Sequence, residues 1–124
     1  MIRFILATML LTFNAQAYTE LHNQKEVKAA FAKGRPMVIL FATTWCPPCI
    51  ATKPEFAAAE KELPGVDFYL MDADKISLKM KKEFDGIPAF VAGNNEKEIR
   101  SAKSLDMGGK DKKEILEYVK KWTN

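Results

Sequence analysis

Histidine and cysteine are scarce in this chain: one histidine, His22, and two cysteines among 124 residues. A structural zinc site built on the two cysteines needs two further ligands, and a single histidine leaves it short. Two cysteines also cannot form the framework of a disulfide-stapled secreted scaffold. Charge of one sign is lacking as well, since 19 Lys and Arg stand against 16 Asp and Glu, for a net charge of +3. The lysine groups Lys79, Lys81, Lys82 and Lys110, Lys112, Lys113 are interleaved with Glu83, Asp85, Asp111 and Glu114. They read as solvated helix faces, so no nucleic-acid partner is expected. Repeats, low-complexity tracts and linkers are missing, which points to one domain around one core. Met37, Met71, Met80 and Met107 are scattered like core-filling residues rather than gathered like a copper site. Nothing marks an oligomer interface, so a monomer is expected.

The N-terminus carries a targeting pattern. Arg3 supplies a positive n-region, Phe4 to Phe13 an apolar h-region, and Ala15-Gln16-Ala17 a small-x-small cleavage site. The h-region has about half the roughly twenty apolar residues that a bilayer span requires. We expect residues 1–17 to be a cleaved signal peptide and 18–124 to be the mature domain. Export, periplasmic or secreted, then follows, with no stable membrane insertion after cleavage. Cleavage removes Arg3, the one charged residue of that segment, and leaves the basic balance mild.

The two cysteines lie together in Trp45-Cys46-Pro47-Pro48-Cys49, directly after the apolar run Met37 to Ala42. A Cys-x-x-Cys where a buried strand gives way to a helix reads as a dithiol–disulfide redox centre. Unpaired backbone N–H groups and the positive end of the helix dipole favour thiolate over thiol at that position. The thiolate is the attacking species in disulfide exchange, and a second thiol one turn on can resolve the mixed disulfide. A structural disulfide is the plainer alternative, but so short a loop removes little unfolded-state entropy. Two inert buried cysteines would be scattered rather than paired beside two prolines.

The rest of the chain places this motif. Tyr18 to Leu21 suits a short edge strand, and Asn23 with Glu26 has capping-box spacing for a helix with Val27, Ala30 and Phe31 inward, ended by Gly34. Met37 to Ala42 is apolar throughout, as in a central strand covered on both faces. A long helix is predicted from Pro47 to Leu63, its first-turn prolines tolerable and Pro54 kinking it. Asp67 to Met71 reads as a strand, and Ile76, Met80 and Phe84 as one face of a short helix. Gly86-Ile87-Pro88 leads into a strand Ala89 to Ala92, with Gly93-Asn94-Asn95 as a hairpin turn into a strand from Glu98 to Ala102. After a Gly108-Gly109 loop, a helix from Asp111 to Trp122 turns Ile115, Leu116, Val119 and Trp122 inward. The order β-α-β-α-β-α-β-β-α predicts an α/β fold, a central mixed sheet with helices on both faces. His22, ahead of a helix cap, reads as a surface histidine.

These features together resemble the thioredoxin superfamily over essentially the whole mature chain: Trp45-Cys46-x-x-Cys49 after the central strand, Pro54 in the following helix, Ile87-Pro88 and the terminal helix. The resemblance implies a thiol:disulfide oxidoreductase with the thioredoxin fold and no cofactor beyond the Cys46–Cys49 pair. Cys46 would be the exposed nucleophile and Cys49 the more buried resolving thiol. Trp45 would pack beside the pair and shape the docking surface. Pro88 would take a cis bond against the cysteines, leaving the Ile87 backbone to an extended client segment. Pro47 and Pro48 complete the site.

The departures carry information too. Thioredoxins proper have a buried Asp where an ungapped count places Leu40, and its lysine partner would fall near Tyr69. Neither charge is present, which leaves the proton acceptor of Cys49 open. Ala42 replaces a family tryptophan. The Ala42-Thr43-Thr44-Trp45-Cys46-Pro47-Pro48-Cys49 flavour is closer to exported, membrane-associated thiol reductases, yet the short span from Cys49 to Pro88 lacks their insertion. The expected activity is therefore reduction of client disulfides, with electrons from a membrane thiol relay. The alternatives are an oxidant or isomerase of the same fold, and a redox-independent binding module. Pro47 and Pro48 have no N–H to offer the Cys46 sulfur, which favours the reductase.

Overall fold

A computed structural model describes residues 18–76, 86–106 and 108–124. The segment expected to be the signal peptide, the helix face of Met80 and Phe84, and Met107 lie outside the described residues. The elements are β1 (Thr19–Leu21), α1 (Gln24–Ala32), β2 (Met37–Ala42), α2 (Pro47–Glu60), β3 (Asp67–Asp72), β4 (Ala89–Gly93), α3 (Glu96–Ser101) and α4 (Lys112–Trp122).

The sheet has the order β1-β3-β2-β4. β1 and β2 run parallel to β3, while β4 runs antiparallel to β2. All six side chains of β2 are buried, which explains its unbroken apolar sequence: it lies between two strands and beneath helices on both sides. Side chains alternate between two cores. Val38, Leu40, Ala42, Phe68, Leu70 and Phe90 pack with Cys46, Cys49 and Phe56, and with Ile115 and Val119 of α4. Met37, Ile39, Phe41, Tyr69, Met71 and Val91 pack on the other face with Val27 and Ala30 of α1 and Ile99 of α3. The helices thus cover both faces, as the sequence led us to expect.

Local chemistry sets the element ends. Asn23 caps α1 by accepting the Glu26 N–H at 2.9 Å, but the Glu26 carboxylate reaches past the cap to the His22 N–H. Gly34, at φ 64°, turns the chain out of α1 in a conformation that costs glycine little. Asp111 and Glu114 form a full capping box on α4. α2 is a regular helix to Glu60, three residues short of expectation. Beyond it the chain tightens into i→i+3 turns, Glu62 N–H to Ala59 and Leu63 N–H to Glu60. Pro54 sits inside α2 without ending it.

One expected element is wrong. The segment Glu98 to Ala102 is not the second strand of a hairpin but belongs to α3. Asn95 is its N-cap, accepting the Glu98 N–H at 2.9 Å, and Glu98 reaches back to the Asn94 N–H at 2.9 Å. Gly93 is not a turn glycine either; a Cβ there would meet Glu98 Cβ at 2.8 Å, so it permits the tight passage from β4 into α3. What pairs with β4 on its free side is Leu105, through an isolated antiparallel bridge to Phe90.

Candidate active site

Cys46 is the N-cap of α2, and Pro47 and Pro48 occupy its first two positions, where a missing N–H breaks no helical bond. Cys46 and Cys49 are joined as a disulfide with Cα atoms 5.2 Å apart. The backbone N–H of Cys49 points at Cys46 Sγ from 3.2 Å. Among the backbone donors of this first turn it stands alone, because the two prolines between the cysteines have none. Both cysteines are buried, Cys46 at 4% and Cys49 at 0%, so Cys46, expected to be the exposed one, is only slightly the less buried residue of the disulfide-bonded pair.

The Ile87-Pro88 peptide is cis. Cys46 Sγ lies 3.9 Å from the Ile87 carbonyl oxygen, so this dipeptide and the cysteine pair form one patch. Trp45 is 65% exposed, a surface aromatic rather than a core one. Its indole N–H donates to Asp74 Oδ2 at 2.7 Å, and the Asp74 N–H is held by Asp72 Oδ1 at 2.9 Å. Ile50 is the other large exposed apolar side chain among the described residues, one position past Cys49. The sequence-predicted residues Trp45, Cys46, Pro47, Pro48, Cys49, Ile87 and Pro88 thus come from two distant segments, and the sulfur–carbonyl contact joins them.

Behind the pair the surroundings are apolar. Leu40 is fully buried in the core that holds both cysteines, and its register partner on β3 is Leu70. The position facing Leu40 is therefore Leu70 and not Tyr69, which lies in the opposite core beyond the sheet. Burial and the neighbouring Asp67 hold the Tyr69 hydroxyl above its usual range. His22 is on the surface, its Nδ1 3.0 Å from Glu26.

Three contributors escaped the sequence reading. Asp74 anchors Trp45. Thr52, one turn past Cys49, is 1% exposed and bonds the backbone of Lys110. Gly109 lies against Pro48, where a Cβ would stand 3.3 Å from the Pro48 carbonyl oxygen. Thr52 had a readable signal, a polar residue on the inward stripe of an otherwise apolar helix; the other two pairings depend on tertiary placement.

A vicinal cysteine pair capping a helix beneath a cis-proline, on a mixed sheet with helices on both faces, defines a dithiol–disulfide redox protein. The sequence model of the Thioredoxin family matches residues 15–121, and the chain belongs to that family. It is similar to Thioredoxin-1 of Saccharomyces cerevisiae, 29% identical over 82 residues that span 65% of this chain and 80% of that protein. It is also 32% identical over 99 residues to Thioredoxin H3 of Arabidopsis thaliana, covering 78% and 79% of the two chains. Among solved structures, thioredoxin NaTrxh from Nicotiana alata aligns with a TM-score of 0.71 at 22% identity, over 88% of this chain and 95% of that one. Mitochondrial thioredoxin 3 of Saccharomyces cerevisiae, in its oxidized form, gives 0.69 at 23%, over 86% and 97%. The chain is a thioredoxin-type thiol:disulfide oxidoreductase.

Proposed function

We propose that this oxidoreductase works outside the cytoplasm and reduces disulfides of client proteins. Cys46 thiolate attacks one sulfur of a client disulfide held against Ile87-Pro88, and the other client sulfur leaves as thiolate. Cys49 then attacks Cys46 Sγ, the second client thiolate departs, and the two electrons gained by the client leave Cys46–Cys49 oxidised. A membrane thiol relay returns the electrons. Export rests on Arg3, the apolar stretch Phe4 to Phe13 and Ala15-Gln16-Ala17.

The observation that carries the direction is the solitary Cys49 N–H at Cys46 Sγ. A thiolate with few donors, backed by Leu40, Leu70 and Phe90, is poorly stabilised. The disulfide is then the favoured state and the couple is reducing. Equilibration of the pair with glutathione tests this, with a midpoint expected near the roughly −270 mV of reducing members of the superfamily. A midpoint near the roughly −120 mV of strong oxidants would overturn the reading.

A further inference from the structure

The Gly108–Lys110 segment is fastened to the redox helix by one side chain. Thr52 Oγ1 donates to the Lys110 carbonyl at 2.6 Å and accepts the Lys110 N–H at 3.1 Å, so a single hydroxyl serves both backbone groups of one loop residue. Thr52 is itself buried, one helical turn beyond Cys49. The preceding residue, Gly109, lies against the Pro48 backbone between the two cysteines. One turn further along α2, Glu55 accepts the Lys112 N–H at 2.8 Å, which fixes the start of α4. On its other side the segment leads back to Leu105, bridged to Phe90 of β4. Leu105 and Gly109 thus lie against the strand that begins after Pro88 and against the Cys-x-x-Cys turn, respectively.

We propose that Thr52 is a positioning residue, which holds the Gly108–Lys110 backbone against Pro48 and so preforms the rim over which a client protein reaches Cys46. The requirement is chemical rather than steric. Valine has nearly the same shape but neither donates nor accepts, and it would leave both Lys110 groups without this partner. Serine keeps the hydroxyl. A preformed rim is felt in binding an extended protein disulfide and not in the electron affinity of the sulfurs. The proposal rests on the family activity alone and is independent of the direction of electron flow and of export.

The experiment compares the parent with Thr52→Val and Thr52→Ser in dithiothreitol-driven reduction of insulin, alongside glutathione titration of each. Thr52→Val is expected to raise KM for insulin about five-fold, the loss of roughly one net hydrogen bond, with kcat and midpoint potential held. Thr52→Ser should restore the parental KM. An unchanged KM in Thr52→Val, an effect confined to kcat or the potential, or failure of serine to rescue would each overturn the proposal. Amide exchange on the unsubstituted protein decides it without any variant. A Lys110 N–H protected from exchange supports the clamp, and exchange at the rate of free backbone removes it.

Discussion

Single side chains decide how this site differs from others on the same fold. Leu40 was readable as a missing carboxylate from its distance to the motif, but its partner was not, because a one-residue shift on a strand moves a side chain to the other face. Only the register shows Leu70 opposite Leu40, with Tyr69 turned away. Cys46, Cys49 and Trp45 were legible because cysteine and tryptophan each occur only twice in the chain and here fall together, while Ile87 and Pro88 were legible from the proline that opens the next apolar run. Asp74 was not, since an Asp in a polar turn looks like any other. Glu60 illustrates a residue whose charge works against the fold. It ends α2 in a recess shared with Lys33, Leu63 and Tyr69, and burial raises its carboxyl above the usual 4.5. The native state then holds this proton more tightly than the unfolded chain does. The stability linked to it is full at pH below 4.5 and is lost as pH rises through the raised value. Urea denaturation should find Glu60→Gln more stable than the parent near pH 7, with the difference gone by about pH 3.5. Equal midpoints at both pH values would contradict this.

At the scale of elements, β2, α2 and α4 followed from pattern because each repeats its signal over several turns or a full strand. α3 did not. It has six residues and one fully buried side chain, Ile99, so no helical period could be read in it. Its start was nevertheless written in the sequence, since Asn95 and Glu98 repeat the Asn23 and Glu26 spacing that begins α1. The Gly-Asn-Asn run also carries the residues of a hairpin turn, which is why a turn was expected there. Gly93 now has a different role, close approach rather than turning, and that role can be measured. Gly93→Ala places a Cβ 2.8 Å from Glu98 Cβ and 3.1 Å from the Ile99 nitrogen. We expect a loss of about 1–3 kcal/mol in chemical denaturation, the cost of overpacking a tight contact. A variant as stable as the parent would show that α3 can move aside.

For the molecule as a whole, the sheet divides two cores that do unequal work. One contains the cysteines and is closed by α2 and α4; the other contains neither and is closed by α1 and α3. β4 carries adjacent residues into each, Phe90 into the core that holds the cysteines and Val91 into the other. Val91→Ala should therefore lower stability by roughly 1–3 kcal/mol and leave the midpoint potential where it was. Phe90→Leu should lower stability and also raise the potential, since a looser apolar wall favours the thiolate. Denaturation curves with glutathione titrations check both, and equal shifts in potential from the two variants would show that the sheet does not separate the cores electrically.

The borders of that sheet have a consequence of another kind. β1 is three residues long, and the free side of β4 is occupied by the Leu105 bridge. A sheet edge with a continuous row of open backbone groups invites a foreign strand to add to it. Among the described residues one border is three residues long and the other is interrupted at its second residue by the bridge from Leu105. A thiol:disulfide oxidoreductase bordered in this way offers other chains its cysteine pair and, among the described residues, little sheet edge on which a strand could add.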